Sequence, residues 1–105
     1  MGRIFAQGDV LLIEVENAPK GREVGAESGR LILARGEATG HHHSVIAGPC
    51  ASLIRDIEDR ELFLLLGEDA TLEHQEHAAI ELSAGTYQIV IQSEYAPEAI
   101  RNVAD

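Results

Sequence analysis

Aromatic and basic side chains are scarce in this sequence. It has no tryptophan, two tyrosines and two phenylalanines, and its eight Lys and Arg stand against 18 Asp and Glu, for a formal net charge of -10. So few aromatic rings leave little surface for stacking on nucleobases. An acidic chain also repels a phosphate backbone unless its basic residues cluster, and here they are scattered among carboxylates. We therefore expect no nucleic-acid partner.

Cysteine and long apolar runs are also nearly missing. Cys50 is the single cysteine, which excludes a disulfide within the chain, and we expect it to be a small core residue. No apolar run approaches the roughly 18–20 residues that a membrane span needs. The turn at Gly8 and Asp9 comes before the first residues can form an apolar signal core. We expect an unanchored cytoplasmic protein with no membrane partner.

The remaining composition suits one folded unit. The chain has 105 residues, of which 45% are hydrophobic and 25% charged, so we expect a single domain over residues 1–105. Two-residue periodicity begins at residues 10–16, where Leu11, Ile13 and Val15 share one face of a strand. In the last strand Tyr87 and Ile89 lie on the core face.

Short strands separated by turn residues continue along the chain. The further predicted strands are 31–34, 41–47, 51–55, 62–66, 71–73, 80–82 and 86–92. Residues 17–29 break the periodicity and predict an exposed loop, whereas Pro97 begins a short C-terminal helical turn. Seven to nine strands without intervening helices predict an all-β fold, for which we favour a small jelly-roll or cupin-like barrel.

The five histidines form two short groups, GHHH at residues 40–43 and EHQEH at residues 73–77. On a strand, His41 and His43 point to one face and His42 to the other. His74 and His77 share a face if residues 74–77 form a turn or one helical turn. Together these two pairs could supply imidazole nitrogens to Zn, Cu, Ni, Fe or Mn. We predict that His41, His43, His74 and His77 bind a transition-metal ion.

Two carboxylates, Glu73 and Glu76, flank the second histidine group. Each is a candidate metal ligand, general base acting on bound water, or partner that orients an imidazole. We choose Glu76 as the candidate catalytic residue. The leading hypothesis is a metal-dependent hydrolase or oxidoreductase that activates water or dioxygen and acts on a small-molecule substrate.

Other interpretations of the same residues stay open. Both histidine groups could be solvated turns that bind nothing. The domain could instead be a non-enzymatic assembly module, with the loop at residues 17–29 as its contact arm. A third hypothesis is a pH switch, because clustered imidazoles repel one another when protonated. A homodimer or higher homo-oligomer fits a domain this small, since its strand edges need protection.

Several stretches resemble a group of short uncharacterised bacterial and phage-associated proteins. They are residues 7–11 (QGDVL), 36–43 (GEATGHHH), 74–82 (HQEHAAIEL), 85–87 and 92–95. This resemblance implies no activity. His41 and His43, after a glycine-containing turn, are also similar to the first motif of cupins, which are small metal-binding barrels. No glutamate follows His43 at the cupin spacing, and the downstream histidines form a pair instead of a single ligand.

Overall fold

The structure is a computed structural model that describes residues 2–35 and 40–92. Ten strands in three sheets make up the regular structure of this part of the chain, which confirms the all-β prediction. The strands are β1 (Ile4–Gln7), β2 (Val10–Val15), β3 (Gly21–Glu23), β4 (Arg30–Arg35), β5 (His42–Ile46), β6 (Ala51–Asp56), β7 (Leu62–Leu66), β8 (Ala70–Leu72), β9 (Ile80–Leu82) and β10 (Gly85–Ile91). No helix in the described ranges is long and apolar enough to cross a membrane.

The main sheet has six antiparallel strands in the order β1-β2-β10-β7-β6-β3. Two smaller antiparallel sheets are formed by β4 with β5 and by β8 with β9. Within residues 2–35 and 40–92 the main sheet does not close into a barrel, because β1 and β3 each have a neighbour on one side only. The predicted jelly-roll or cupin-like barrel is therefore not confirmed in this part of the chain. The predicted helical turn after Pro97 lies outside the described residues.

The core lies against one face of the main sheet. Val10 and Leu12 on β2 are fully buried and pair with Ile91 and Ile89 on β10. The buried face of β2 is therefore the alternate one to Leu11, Ile13 and Val15, which are only partly buried. The largest fully buried apolar side chains are Tyr87, Leu12, Leu53, Leu64, Leu72, Leu82, Val10 and Val45. Tyr87 is on the core face as predicted, and its hydroxyl donates to the carbonyl of Ser83 over 2.7 Å.

Three features differ from the sequence analysis. The sequence did not predict β1, and β3 lies inside the stretch expected to be an exposed loop. That stretch is largely exposed, yet its residues 21–23 pair with β6. The prediction for Cys50 was wrong, because its side chain is exposed in the turn before β6. Residues 49 and 50 form a turn, and the backbone carbonyl of Cys50 accepts the amide of Gly67 over 2.7 Å, so the contact with the neighbouring strand is made by its backbone.

Candidate metal centre

An isolated antiparallel bridge brings the two histidine groups together. Ser44, in β5, and Glu73, directly after β8, exchange both backbone hydrogen bonds, at 3.0 and 2.8 Å. In an antiparallel pair the residue before one partner faces the residue after the other. His43 therefore lies opposite His74, and the next step places the backbone amide of His42 against the Gln75 side chain, at 2.8 Å. The two stretches meet because of this register.

Four imidazoles cluster beside the bridge, and they are the four predicted from the sequence. The ring centroids of His43 and His74 are 4.3 Å apart, and those of His74 and His77 are 4.7 Å apart. His41 lies 5.7 Å from His74, and His77 lies 5.9 Å from His43. Residues 74–77 form an irregular bend between β8 and β9, so both histidines of the second pair reach one face without a helical turn.

His43 is the buried member of the cluster, with 2% of its surface exposed. Its Nδ1 lies 2.8 Å from Oε1 of Gln7, a residue that is equally buried. Burial, together with the neighbouring His74, lowers the pKa of His43 to about 4. The imidazole is therefore neutral at pH 7, which is the state that binds metals.

The other three histidines are more accessible. His74 and His41 are partly buried and His77 is exposed. Burial lowers the pKa of His74, and His77 and His41 add repulsion of its charged form. Nδ1 of His74 accepts the backbone amide of Glu76 over 3.0 Å. The cluster thus runs from a fixed buried ring at His43 to an exposed ring at His77.

Gly8 allows the ring of His77 to approach the turn between β1 and β2. The glycine has a φ of 61°, in the left-handed region that favours glycine, and a Cβ built on it would lie 2.7 Å from Nε2 of His77. A larger residue at position 8 would have to displace the imidazole. The turn residues Gly8 and Asp9 are therefore part of the surroundings of the site.

Three carboxylates of residues 2–35 and 40–92 lie near the cluster, each with a different partner. The Glu73 carboxylate is paired with the guanidinium of Arg30. Oε2 of Glu76 lies 3.6 Å from Nδ1 of His41, and Oδ1 of Asp9 lies 3.8 Å from Nε2 of His43. Asp9 was not predicted as a site residue, since it is more than 30 positions from either histidine group. Its sequence signals are its place in the turn before the strand at residues 10–16 and its place in the stretch QGDVL at residues 7–11.

One protein family, described as Domain of unknown function (DUF8820), matches residues 6–92. The chain belongs to this family. The match contains all four clustered histidines together with Gln7 and Asp9, and it agrees with the expected likeness to short uncharacterised proteins. No curated protein and no solved structure matches the chain.

The imidazole rings of the cluster are near one another, but their nitrogen atoms do not point to one common position for an ion. Among residues 2–35 and 40–92, no group of three or more His, Cys, Asp and Glu side chains is arranged to hold a metal ion as it stands. Some rings are stacked or tilted against each other, as His43 is with His77 and His74. Ring rotation at the accessible histidines would be needed to bind an ion.

A shallow cleft of about 300 Å³ lies on the outer side of His74. It is lined by Arg30, His42, Ser44, Glu73, His74 and Gln75. His42, on the opposite face of β5 from His43, has its Nε2 3.4 Å from Nε2 of Gln75. Its Nδ1 is buried and has no hydrogen-bond partner among the described residues. His74 is the member of the cluster that lines this cleft.

Proposed function

We propose that this domain binds a transition-metal ion through the imidazoles of His41, His43, His74 and His77. The observation that carries the proposal is the meeting of these four rings from two distant stretches, at centroid separations of 4.3 to 5.9 Å. Zinc–nitrogen bonds are about 2.0–2.1 Å long, so two imidazoles on one tetrahedral ion have centroids roughly 5 Å apart. The observed separations span that value.

The donor set limits the choice of ion. Neutral imidazoles suit Zn, Cu, Ni, Fe and Mn, whereas Ca and Mg prefer oxygen ligands. The low pKa of His43 favours binding at neutral pH, because no proton has to leave that ring. The formal net charge of -10 adds a general attraction for cations.

The accessibility of the cluster favours a reactive ion over a purely structural one. His77 is exposed and the cleft beside His74 is open to solvent, so a bound ion could keep a position for water or a substrate. Such an ion activates water or dioxygen when bound. Glu76, 3.6 Å from His41, is the residue we assign to accept the proton. The domain would then be a metal-dependent hydrolase or oxidoreductase acting on a small molecule.

The likeness to cupins is part of the same proposal. It is supported by the all-β architecture and by His43 in β5, with His41 directly before that strand begins at His42. A shared fold does not imply a shared reaction, so we assign no cupin activity to this chain.

Elemental analysis tests the proposal directly. The protein should be purified without an affinity tag, by ion exchange, and measured beside His43→Gln, His74→Gln and the matched control His42→Gln. We expect about one ion per chain in the wild type and in the control, and much less in the other two variants. A metal-free wild type that takes up no Zn²⁺, Ni²⁺ or Fe²⁺ would refute it, as would equal metal content in all variants.

A second candidate function is a non-enzymatic assembly module. The observation that favours it is the open main sheet, whose edge strand β1 carries Ile4 with 61% of its surface exposed. Unpaired strand edges are sites where a second chain can pair, and a homodimer or larger ring would cover Ile4. Sedimentation at micromolar concentration tests this, since a monomer there would exclude the module.

A further inference from the structure

Gln7 is a buried polar residue whose whole side-chain amide is used. It is the last residue of β1 and is 2% exposed. Its Nε2 donates to the carbonyl of Leu72 over 3.0 Å and to that of Ala78 over 2.9 Å, while its Oε1 lies 2.8 Å from Nδ1 of His43. A buried amide without partners would cost roughly 2 kcal/mol or more. These bonds remove that cost and fix the amide in one orientation.

The orientation of the amide determines the tautomer of His43. Carbonyl oxygens only accept, so the group facing Leu72 and Ala78 must be the NH₂ of Gln7. The group facing His43 is then the amide oxygen, which also only accepts. Nδ1 of His43 must therefore carry the proton. In the neutral ring this leaves the lone pair on Nε2, on the side where Asp9 lies at 3.8 Å.

The same amide bonds to both ends of the segment that carries the other histidine pair. Leu72 is the last residue of β8, and Ala78 lies two residues before β9 begins at Ile80. The chain between them, residues 73–77, contains His74 and His77. One side chain thus contacts the strand that bears His43 and closes the loop that bears the second pair.

We propose that Gln7 is the positioning residue of the histidine site. It holds His43 in the Nδ1–H tautomer, so that Nε2 is the metal-binding nitrogen, and it fixes both ends of the loop that carries His74 and His77. Hydrogen bonding at one ring nitrogen commonly sets which nitrogen of a ligand histidine is free. The statement about metal binding rests on the proposed function, whereas the statement about the tautomer holds for the metal-free protein.

Two substitutions separate the two roles of Gln7. Gln7→Leu removes both the acceptor for His43 and the donors for Leu72 and Ala78. Gln7→Glu keeps an acceptor oxygen for His43 but loses the NH₂ group. Gln88→Leu, in β10, is the matched control, since it makes the same change at a half-buried position in the main sheet.

Nitrogen NMR of the imidazoles in the metal-free protein at neutral pH tests the tautomer. We expect Nδ1–H at His43 in the wild type, in Gln7→Glu and in Gln88→Leu, and a mixture or the Nε2–H form in Gln7→Leu. The Nε2–H form in the wild type would overturn the role, as would an unchanged tautomer in Gln7→Leu. If Gln7→Leu does not fold, the tautomers of His43 in the wild type and in Gln7→Glu test the role, and an Nε2–H form in either protein would overturn it.

The Zn²⁺ affinity of the same proteins tests whether Gln7 positions the histidines for metal binding. We expect Gln7→Leu to bind about 10 to 100-fold more weakly, which is typical when a partner of a ligand histidine is removed. Gln7→Glu should be weakened as well, because its loop has lost two hydrogen bonds, and Gln88→Leu should match the wild type. Unchanged affinity in both Gln7 variants would overturn the positioning role. A wild type that binds no Zn²⁺, Ni²⁺ or Fe²⁺ would instead refute the proposed function and leave the tautomer result standing.

Discussion

The imidazoles of His43 and His74 lie with their centroids 4.3 Å apart, because the backbone bridge between Ser44 and Glu73 sets them opposite each other. The bridge also places His42 on the other face of β5, beside Gln75. The same three-histidine run thus supplies both a candidate ligand and its own control. The predictions below use this and similar pairs.

The stability of the metal-free protein should depend on pH through His43. Its pKa is about 4 in the folded chain, whereas an unfolded histidine has a pKa of about 6.5. Between these values the unfolded chain binds a proton that the folded chain does not, so the free energy of unfolding is largest above pH 6.5 and falls as the pH drops toward 4. The loss is on the order of 3 kcal/mol at most.

Urea denaturation at pH 7.5, 6, 5 and 4, in the presence of a chelator, measures this dependence. The titratable groups that act on His43 are His74, Asp9, His77 and His42, and the lowered pKa of His74 acts in the same direction. His43→Gln should therefore reduce the slope without abolishing it. Identical pH profiles for this variant and the wild type would contradict the prediction. Glu14, with a pKa of about 2, stays charged over this range.

Gly8→Ala should weaken both the fold and the site. A Cβ at position 8 would lie 2.7 Å from Nε2 of His77, and the φ of 61° is unfavourable for alanine. We expect a loss of about 1 kcal/mol or more in unfolding free energy, together with weaker Zn²⁺ binding. Gly25→Ala is the control, since nothing lies within 4 Å of its added Cβ. Equal Zn²⁺ affinity in the two variants would show that His77 is not a ligand.

The three carboxylates near the cluster should contribute unequally to Zn²⁺ affinity. Glu73 is paired with Arg30, so Glu73→Gln should change Zn²⁺ affinity less than two-fold. Asp9→Asn should lower the affinity about ten-fold, because Asp9 lies beside the free nitrogen of His43. Isothermal titration of both variants measures the difference. A larger loss in Glu73→Gln than in Asp9→Asn would reverse this assignment.

Leu53 should be important for stability and unimportant for metal binding. It is fully buried on β6, in the main sheet, and truncating such a leucine to alanine costs about 2–5 kcal/mol. Ile57→Ala is the control, since 62% of Ile57 is exposed, and it should change stability by about 0.5 kcal/mol or less. Thermal or urea unfolding measures both. A Leu53→Ala variant as stable as Ile57→Ala would contradict the assignment of the core.

The sequence predicted those strands whose apolar residues alternate or run together. Residues 62–66 and 80–82 agree with β7 and β9 without change. It did not predict β1 or β3, because both are short edge strands: two of the four residues of β1 and all three of β3 are exposed. Their pairing partners, and not their own periodicity, make them strands.

The sequence prediction put His41 and His43 on one face by alternation along a strand. In the structure His43 is in β5 and His41 lies directly before that strand, and both rings are near His74. The parts of the site supplied by Gln7 and Asp9 could not be predicted, since each depends on the turn between β1 and β2 reaching β5. The sequence also left the roles of Glu73 and Glu76 open, because their ion-pair partners are far away along the chain. Only the fold shows that Arg30 is the partner of Glu73.

The position of β1 at the rim of the sheet has a dynamic consequence. Among the residues that the structure describes, its backbone pairs with β2 alone, and local opening of an outer strand costs less free energy than opening of a central one. Each opening withdraws Gln7 from His43 and from the loop after β8. A bound ion would favour the closed state by mass action, so amide hydrogen exchange along β1 should slow on loading, although none of the four histidines lies on that strand.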